Sequence, residues 1–238
     1  MDKVKILVVG CGRSGTGYFA KTLQRNGIPA THEGIFNLEK ELADSDMQTP
    51  FLCESSWYAA PYIDRIEGLT HVFHLVRNPL KVMSSFYRIG MLASGPLRHI
   101  SQGYPKRYFG NPNRPAEKIA ARTEFVMRHR EFLQTNGQLF EPQTETGRLD
   151  KYWWHWNQMI EDKATKTGAS YRRIQLEQLG NNVGELGKFF GLRGFTLDVP
   201  PQNLKMNYRP RKMPPTVLSE ATYELARAYG YPHEYLVQ

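Results

Sequence analysis

A short segment near the amino terminus carries the residue types that bind phosphate. Residues 10–17 hold four glycines, two hydroxyl side chains and Arg13. Glycines let the backbone come close to a phosphate group, and an arginine and hydroxyls donate hydrogen bonds to it. The run before this segment, residues 4–9, is nearly all apolar, and residues 16–26 have helical spacing. A strand, a glycine-rich turn and a helix N-terminus are therefore predicted, and such a turn favours an anion site.

The glycine spacing alone leaves two kinds of ligand open. Gly10-x-Gly12-x-x-Gly15 matches the dinucleotide fingerprint, and Glu33 lies where that fold places an acid against the ribose. This pattern predicts an NAD-dependent oxidoreductase. The alternative is a phosphate-binding loop in which Arg13 replaces the usual lysine. No Gly-Lys-Ser/Thr ending is present, which disfavours a magnesium-dependent ATP or GTP site.

A second segment combines another arginine with serines. Arg77 follows the apolar run 71–76, Pro79 suits the first turn of a helix, and Ser85 lies two helical turns further on. The Arg77 guanidinium and the Ser85 hydroxyl are predicted to converge on one phosphate. Two separate phosphate sites suit a nucleotide that is phosphorylated at both ends of its ribose. An oxidoreductase leaves this second segment unexplained.

With both segments, the chain resembles the sulfotransferases that use 3′-phosphoadenosine 5′-phosphosulfate (PAPS) as sulfuryl donor. The run Gly12 to Thr16 is similar to that family's 5′-phosphosulfate motif, and the run Arg77 to Ser85 is similar to its 3′-phosphate motif. The resemblance covers about residues 4–90. It implies a P-loop NTPase-like three-layer fold. It also implies in-line transfer of a sulfuryl group to a hydroxyl or amine, with 3′,5′-diphosphoadenosine (PAP) as the second product.

The resemblance implies a role for each matching residue. Arg13 would hold the 5′-phosphosulfate and offset charge on the leaving phosphate, and Arg77 and Ser85 would bind the 3′-phosphate. Gly17 stands where many relatives have a second threonine, so one hydroxyl donor is missing. Tyr18 would stack on the adenine. The other donor-binding positions are Gly12, Ser14, Gly15 and Thr16, and a late basic segment similar to the family's contains Arg209, Arg211 and Lys212.

The acceptor in such a reaction needs a base. Glu33 matches the position of the catalytic glutamate in the tyrosylprotein branch of the family, so Glu33 is predicted to be the general base, with His32 as the alternative. Both residues end the second predicted strand. No metal-ligand cluster is recognisable, and the chemistry requires no metal.

The whole chain must supply the elements that position these residues. Further strands are predicted at residues 28–33, 51–56, 71–76 and 169–176, with helices between them. This alternation predicts an α/β fold, a central parallel sheet with helices on both faces. The 238 residues fit one domain, with an acceptor-binding insertion at about residues 90–150.

Composition limits the partners and the location. No apolar run is long enough to span a membrane, and the two cysteines and the lack of a leader predict a cytoplasmic protein. The net charge of +8 predicts acidic ligands. The basic residues form no nucleic-acid motif, so a small-molecule, lipid or glycan acceptor is expected. Residues 95–115 and 147–157 are predicted to form its walls.

Overall fold

The computed structural model describes residues 5–38, 42–93, 116–137, 139, 144–197 and 212–237. The chain divides into two compact units. The first unit comprises Met1–Arg77 and Trp156–Asn203, and the second comprises Asn78–His155 and Leu204–Gln238. The single domain with an insertion at about residues 90–150 stays a prediction. No helix in the described ranges combines the length and the apolar character that crossing a membrane requires.

The first unit is built on a five-stranded parallel sheet. The strands are β1 (Ile6–Val9), β2 (Ala30–His32), β3 (Cys53–Ser55), β4 (His71–Val76) and β5 (Ser170–Gln175). Their order is β2-β3-β1-β4-β5, and the neighbouring strands pair in parallel. The predicted α/β fold with a central parallel sheet is confirmed. All four β1 residues are buried, as expected for an apolar central strand.

Helices follow most of the strands. They are α1 (Thr16–Arg25), α2 (Asp44–Gln48), α3 (Pro79–Ile89), α4 (Ala116–Gly137), α5 (Glu145–Ala164), α6 (Val183–Phe189) and α7 (Glu220–Ala228). The sequence predicts a helix over residues 57–66, and the segment Trp57–Arg65 forms a 3-10 helix that contains Pro61. Proline removes one backbone donor and clashes with the preceding turn, which disfavours a regular α-helix there.

Aromatic rings fill the core between the sheet and its helices in the first unit. Phe19 of α1 stacks on Phe73 of β4, with ring centroids 4.8 Å apart, and Phe190 packs against both rings. Trp57 and Trp156 form another buried pair, with centroids 5.7 Å apart. The contacts of Phe19 bury one apolar face of α1 and fix where its N-terminus lies relative to the strand ends.

His74 is a buried polar residue of β4 whose hydrogen bonds are satisfied. Its Nε2 lies 2.9 Å from Asn157 Oδ1, and its Nδ1 lies 2.8 Å from the Tyr171 hydroxyl. Burial lowers the pKa of His74 to about 3, so the ring is neutral in the folded protein. His74 therefore belongs to the core, as its place within an apolar strand predicts.

The second unit packs helix on helix. Phe86 of α3 meets Tyr152 of α5 edge to face, with centroids 5.2 Å apart, and Trp153 packs on Tyr229. The start of α7 is fixed by two contacts with Asp150. Its carboxylate accepts from the backbone N–H of the capping residue Ser219, and its carbonyl accepts from the Thr222 hydroxyl.

Candidate functional site

The loop between β1 and α1 makes a tight turn that leads directly into the N-terminus of α1. Both the backbone N–H and the hydroxyl of Ser14 donate to the Cys11 carbonyl, at 3.0 and 2.6 Å. Gly15 takes the N-cap position with φ 98°, and no side chain caps the helix there. The first amides of a helix have no intrahelical acceptor, so this end of α1 suits an anion.

Gly10 is needed because this turn lies against the backbone of β4. A Cβ at Gly10 would lie well inside van der Waals distance of the Leu75 carbonyl oxygen. Gly15 combines its left-handed conformation with a close neighbour, since a Cβ there would lie 2.9 Å from a Leu176 methyl carbon. The glycines thus bring the loop down onto the carboxyl end of the sheet.

Arg13 and Glu33 share an unusual backbone conformation. Arg13 has φ 73° and Glu33 has φ 54°, and no other non-glycine residue in the described segments has a positive φ. Such a conformation costs on the order of 1 kcal/mol or more, and persists only where neighbouring contacts fix it. The Arg13 side chain is exposed, and its carbonyl accepts a hydrogen bond from Arg77 Nη1 at 2.8 Å.

Arg77, the first residue of the second motif, contacts the loop of the first motif within the first unit. It follows the last residue of β4, and its guanidinium reaches the loop of the first motif through the Arg13 carbonyl. Ser85 lies half-buried on α3, in the second unit. Its phosphate contact stays a prediction. The helix start predicted at Pro79 is confirmed, because Asn78 caps α3 by accepting from the Lys81 backbone N–H.

The end of β2 places His32 beside the first turn of α1. His32 Nε2 lies 3.4 Å from Thr16 Oγ1 and 3.6 Å from Glu33 Oε1. A Cβ at Gly17 would lie only 3.1 Å from the same nitrogen. The imidazole thus covers Gly17. Burial, and then the charge of Lys21, lower the pKa of His32 below its ordinary value, which favours a neutral ring.

Two hydrogen bonds of its backbone groups fix Glu33 in place. Its N–H donates to the Ser55 carbonyl at 3.1 Å, and its carbonyl accepts from Asn37 Nδ2 at 3.1 Å. Its side chain is half-buried, and burial together with the charge of Glu54 raises the pKa of Glu33 to about 7. A carboxyl group with this pKa can accept and release a proton near neutral pH.

Glu54 is a part of this site that the sequence predictions missed. Its side chain is fully buried on β3 and accepts hydrogen bonds from the backbone N–H groups of Gly34 and Ile35 at 2.9 and 3.2 Å. The Thr31 hydroxyl donates to its second oxygen. An acid within an apolar strand must find such partners, because burying an isolated charge is costly. That placement was the available signal in the sequence.

The two serines at the carboxyl end of β3 have structural roles. The Ser55 hydroxyl donates to the Thr16 carbonyl at 2.9 Å, which joins β3 to the start of α1. Ser56 caps the next segment, because its hydroxyl accepts from the Tyr58 backbone N–H.

Both cysteines are buried free thiols. Tyr18 is half-buried against the core, and its predicted adenine contact stays a prediction.

The carboxyl edge of the sheet thus combines a helix N-terminus whose geometry suits an anion with a titratable acid. Three predicted residues, Thr16, His32 and Glu33, lie together there, and Arg13 and Arg77 meet at the loop. Arg209, Arg211 and the predicted acceptor segment 95–115 lie outside the described residues, whereas Lys212 is described and exposed. No protein-family model matches this chain, and no curated protein does.

Proposed function

We propose that the chain is a sulfotransferase that moves a sulfuryl group from PAPS to a hydroxyl or amine acceptor and leaves PAP. The observation that carries this proposal is the shared backbone strain of Arg13 and Glu33. Backbone strain in residues other than glycine is concentrated at functional sites. Glycine adopts such a conformation without cost, so a fold selected for stability alone would have glycine at these positions. The two strained residues are also the two whose sequence positions suggest the charge-stabilising cation and the base.

We assign binding of the sulfuryl donor to the β1–α1 loop. The first amides of α1 and the Thr16 hydroxyl would bind the 5′-phosphosulfate, and the exposed Arg13 guanidinium would balance its charge. As the acceptor oxygen or nitrogen bonds to sulfur, the bond between sulfur and the 5′-phosphate oxygen breaks. Its electron pair stays on that phosphate, where Arg13 stabilises the added negative charge.

We assign removal of the acceptor's proton to Glu33. The Glu33 carboxylate would take the proton that the acceptor loses, and its pKa of about 7 suits this task at neutral pH. His32 stands between the two sides, since its Nε2 is near both Thr16 Oγ1 and Glu33 Oε1. A neutral imidazole there would supply the polar group that Gly17 lacks.

The proposal is tested first by nucleotide binding. Thermal unfolding of the full chain is measured with PAP, NAD or ATP at equal concentrations, and we expect PAP alone to raise Tm markedly. Arg13→Ala is expected to lose most of this shift. Arg65→Ala, which removes an exposed arginine paired with Asp44 at another place in the first unit, should keep it. Stabilisation by NAD but not by PAP would contradict the proposal.

The NAD-dependent oxidoreductase remains the second candidate because of its glycine spacing and the position of Glu33. Glu33→Gln separates the two. If Glu33 is the base, the variant keeps PAP binding within about twofold and loses turnover by 100-fold or more, in line with general-base effects. If Glu33 binds a ribose, the variant weakens NAD binding instead. Turnover is measured with labelled donor and a panel of small-molecule, lipid and glycan acceptors.

A further inference from the structure

A buried carboxylate behind the proposed base has no part in the mechanism so far. Glu54 lies in the middle of β3, between the buried residues Cys53 and Ser55, and its side chain has no exposed surface. Both of its oxygens accept hydrogen bonds, one from two backbone amides and the other from the Thr31 hydroxyl.

The partners of Glu54 lie on either side of Glu33. Thr31 precedes Glu33 by two residues on β2, and Gly34 and Ile35 follow it directly. With the Glu33 N–H bonded to the Ser55 carbonyl, every backbone amide from Glu33 to Ile35 donates to a residue of β3. These bonds explain how Glu33 keeps a left-handed conformation that glutamate rarely adopts.

We propose that Glu54 is the positioning residue of the acid–base site: a buried carboxylate that fixes the turn around Glu33 by hydrogen bonds and faces Glu33 with a negative charge. The role of Glu33 as base rests on the proposed function. The structural relation between the two carboxyl groups does not, so the two claims can be tested separately.

The charge of Glu54 acts on Glu33 in a definite direction. A nearby negative charge disfavours ionisation, so Glu54 adds to the effect of burial and raises the pKa of Glu33 to about 7. Among the described residues, His32 also lies near Glu33, and the charge of Lys21 acts on His32. The lowered pKa of His32 favours its neutral form, and Glu54 is the charge that acts on Glu33 from the adjoining strand.

The test measures the Glu33 carboxyl group directly. The ¹³C chemical shift of its side-chain carbon is followed against pH in the full chain, with the signal assigned by its loss in Glu33→Gln. We expect a pKa near 7 in the wild type and a clear downward shift in Glu54→Gln. Thr31→Val is the matched control, since it removes one hydrogen bond to Glu54 but keeps the charge, and it should shift the pKa of Glu33 less.

Two outcomes would overturn this proposal. One is a Glu33 that titrates alike in the wild type and in Glu54→Gln. The other is rapid hydrogen exchange of the Gly34 and Ile35 amides in the wild type, a measurement that stands even if Glu54→Gln does not fold. Neither depends on PAP binding, which is measured on the same samples. Failure of the sulfotransferase proposal is thus distinguishable from failure of this one.

Turnover adds a second readout once an acceptor is found. In Glu54→Gln the acidic limb of the pH–rate profile should move to lower pH, since the base ionises more readily. A purely structural role would lower the rate at all pH values and leave the limb in place, which would contradict the electrostatic part of the proposal.

Discussion

At the scale of single residues, backbone strain marks the places where this chain departs from what stability alone would choose. Arg13 and Glu33 both hold positive φ values that glycine would adopt without cost. Contacts compensate at each place, through Arg77 at Arg13 and through Ser55 and Asn37 at Glu33. Substitutions at these positions should therefore separate stability from activity.

Arg13→Gly tests this separation. The variant relieves the left-handed strain, so we expect the free energy of unfolding to stay constant or rise by up to about 1 kcal/mol, while PAP binding is lost. Arg25→Gly, in the last turn of α1, is the matched control. It should lower the free energy of unfolding by about 0.5–1 kcal/mol without loss of PAP binding. Denaturant unfolding with and without PAP measures both. A loss of stability in Arg13→Gly as large as in the control would contradict the prediction.

Glu33 should also make the stability of the protein depend on pH. Its pKa rises from 4.5 to about 7 on folding, so the folded state binds the proton more tightly and loses stability as pH rises from about 4.5 to about 7. Glu33→Gln removes this loss, and should raise the free energy of unfolding at pH 8.5 by roughly 1–2 kcal/mol. At pH 5 the gain should be small. Equal gains at both pH values, measured by denaturant unfolding, would show that Glu33 has an ordinary pKa.

At the scale of elements, the site depends on how α1 and β2 meet at the sheet edge. The His32 ring at the end of β2 lies over Gly17 in the first turn of α1. Any side chain at position 17 must therefore compete with the imidazole for the same space. Burial is the main cause of the lowered pKa of His32, so displacement of the ring has a measurable signature.

Gly17→Ala should push the His32 ring toward solvent. We expect the pKa of His32 to rise toward its ordinary value, because the ring regains hydration. Gly184→Ala is the control, because nothing lies within 4 Å of a Cβ at that helical position. The imidazole proton signals report both variants in an NMR titration. An unchanged His32 pKa in Gly17→Ala would mean that the ring does not depend on Gly17 for its place.

The sequence predicts the elements better than the contacts between them. The apolar runs predict strands β1 and β4, and Pro79 predicts the start of α3. These elements can be predicted because their burial and capping depend on residues that are neighbours in the sequence. The sequence pattern predicts a helix over residues 150–167, whereas helix α5 begins five residues earlier, at Glu145. Glu54 could not be assigned a role, since its partners lie 19 to 23 residues away and meet it only through the pairing of β2 with β3.

At the scale of the whole molecule, the positive charge is divided unequally. The residues of the first unit include 14 basic and 14 acidic side chains, whereas those of the second include 17 basic and 9 acidic ones. The entire net charge of +8 thus belongs to the second unit. Like charges in one compact unit repel one another, and dissolved salt screens that repulsion.

Salt should therefore stabilise the second unit more than the first. When ionic strength rises from about 20 to about 300 mM, we expect the amides of α7 to gain protection against hydrogen exchange, and those of α1 to change little. Hydrogen exchange followed by mass spectrometry resolves the two helices. Equal gains in α1 and α7 would contradict the prediction, because they would reflect a general salt effect.

The strand order has a consequence for the newly made chain. β4 pairs with β5 along all six residues, yet 93 residues separate the end of β4 from the start of β5. A nascent chain that has passed β4 carries four of the five strands, and β4 is left as an edge strand without its partner until residue 175 has been synthesised. Unpaired edges attract other chains. During synthesis, this β4 edge is the place where a chaperone would best prevent aggregation.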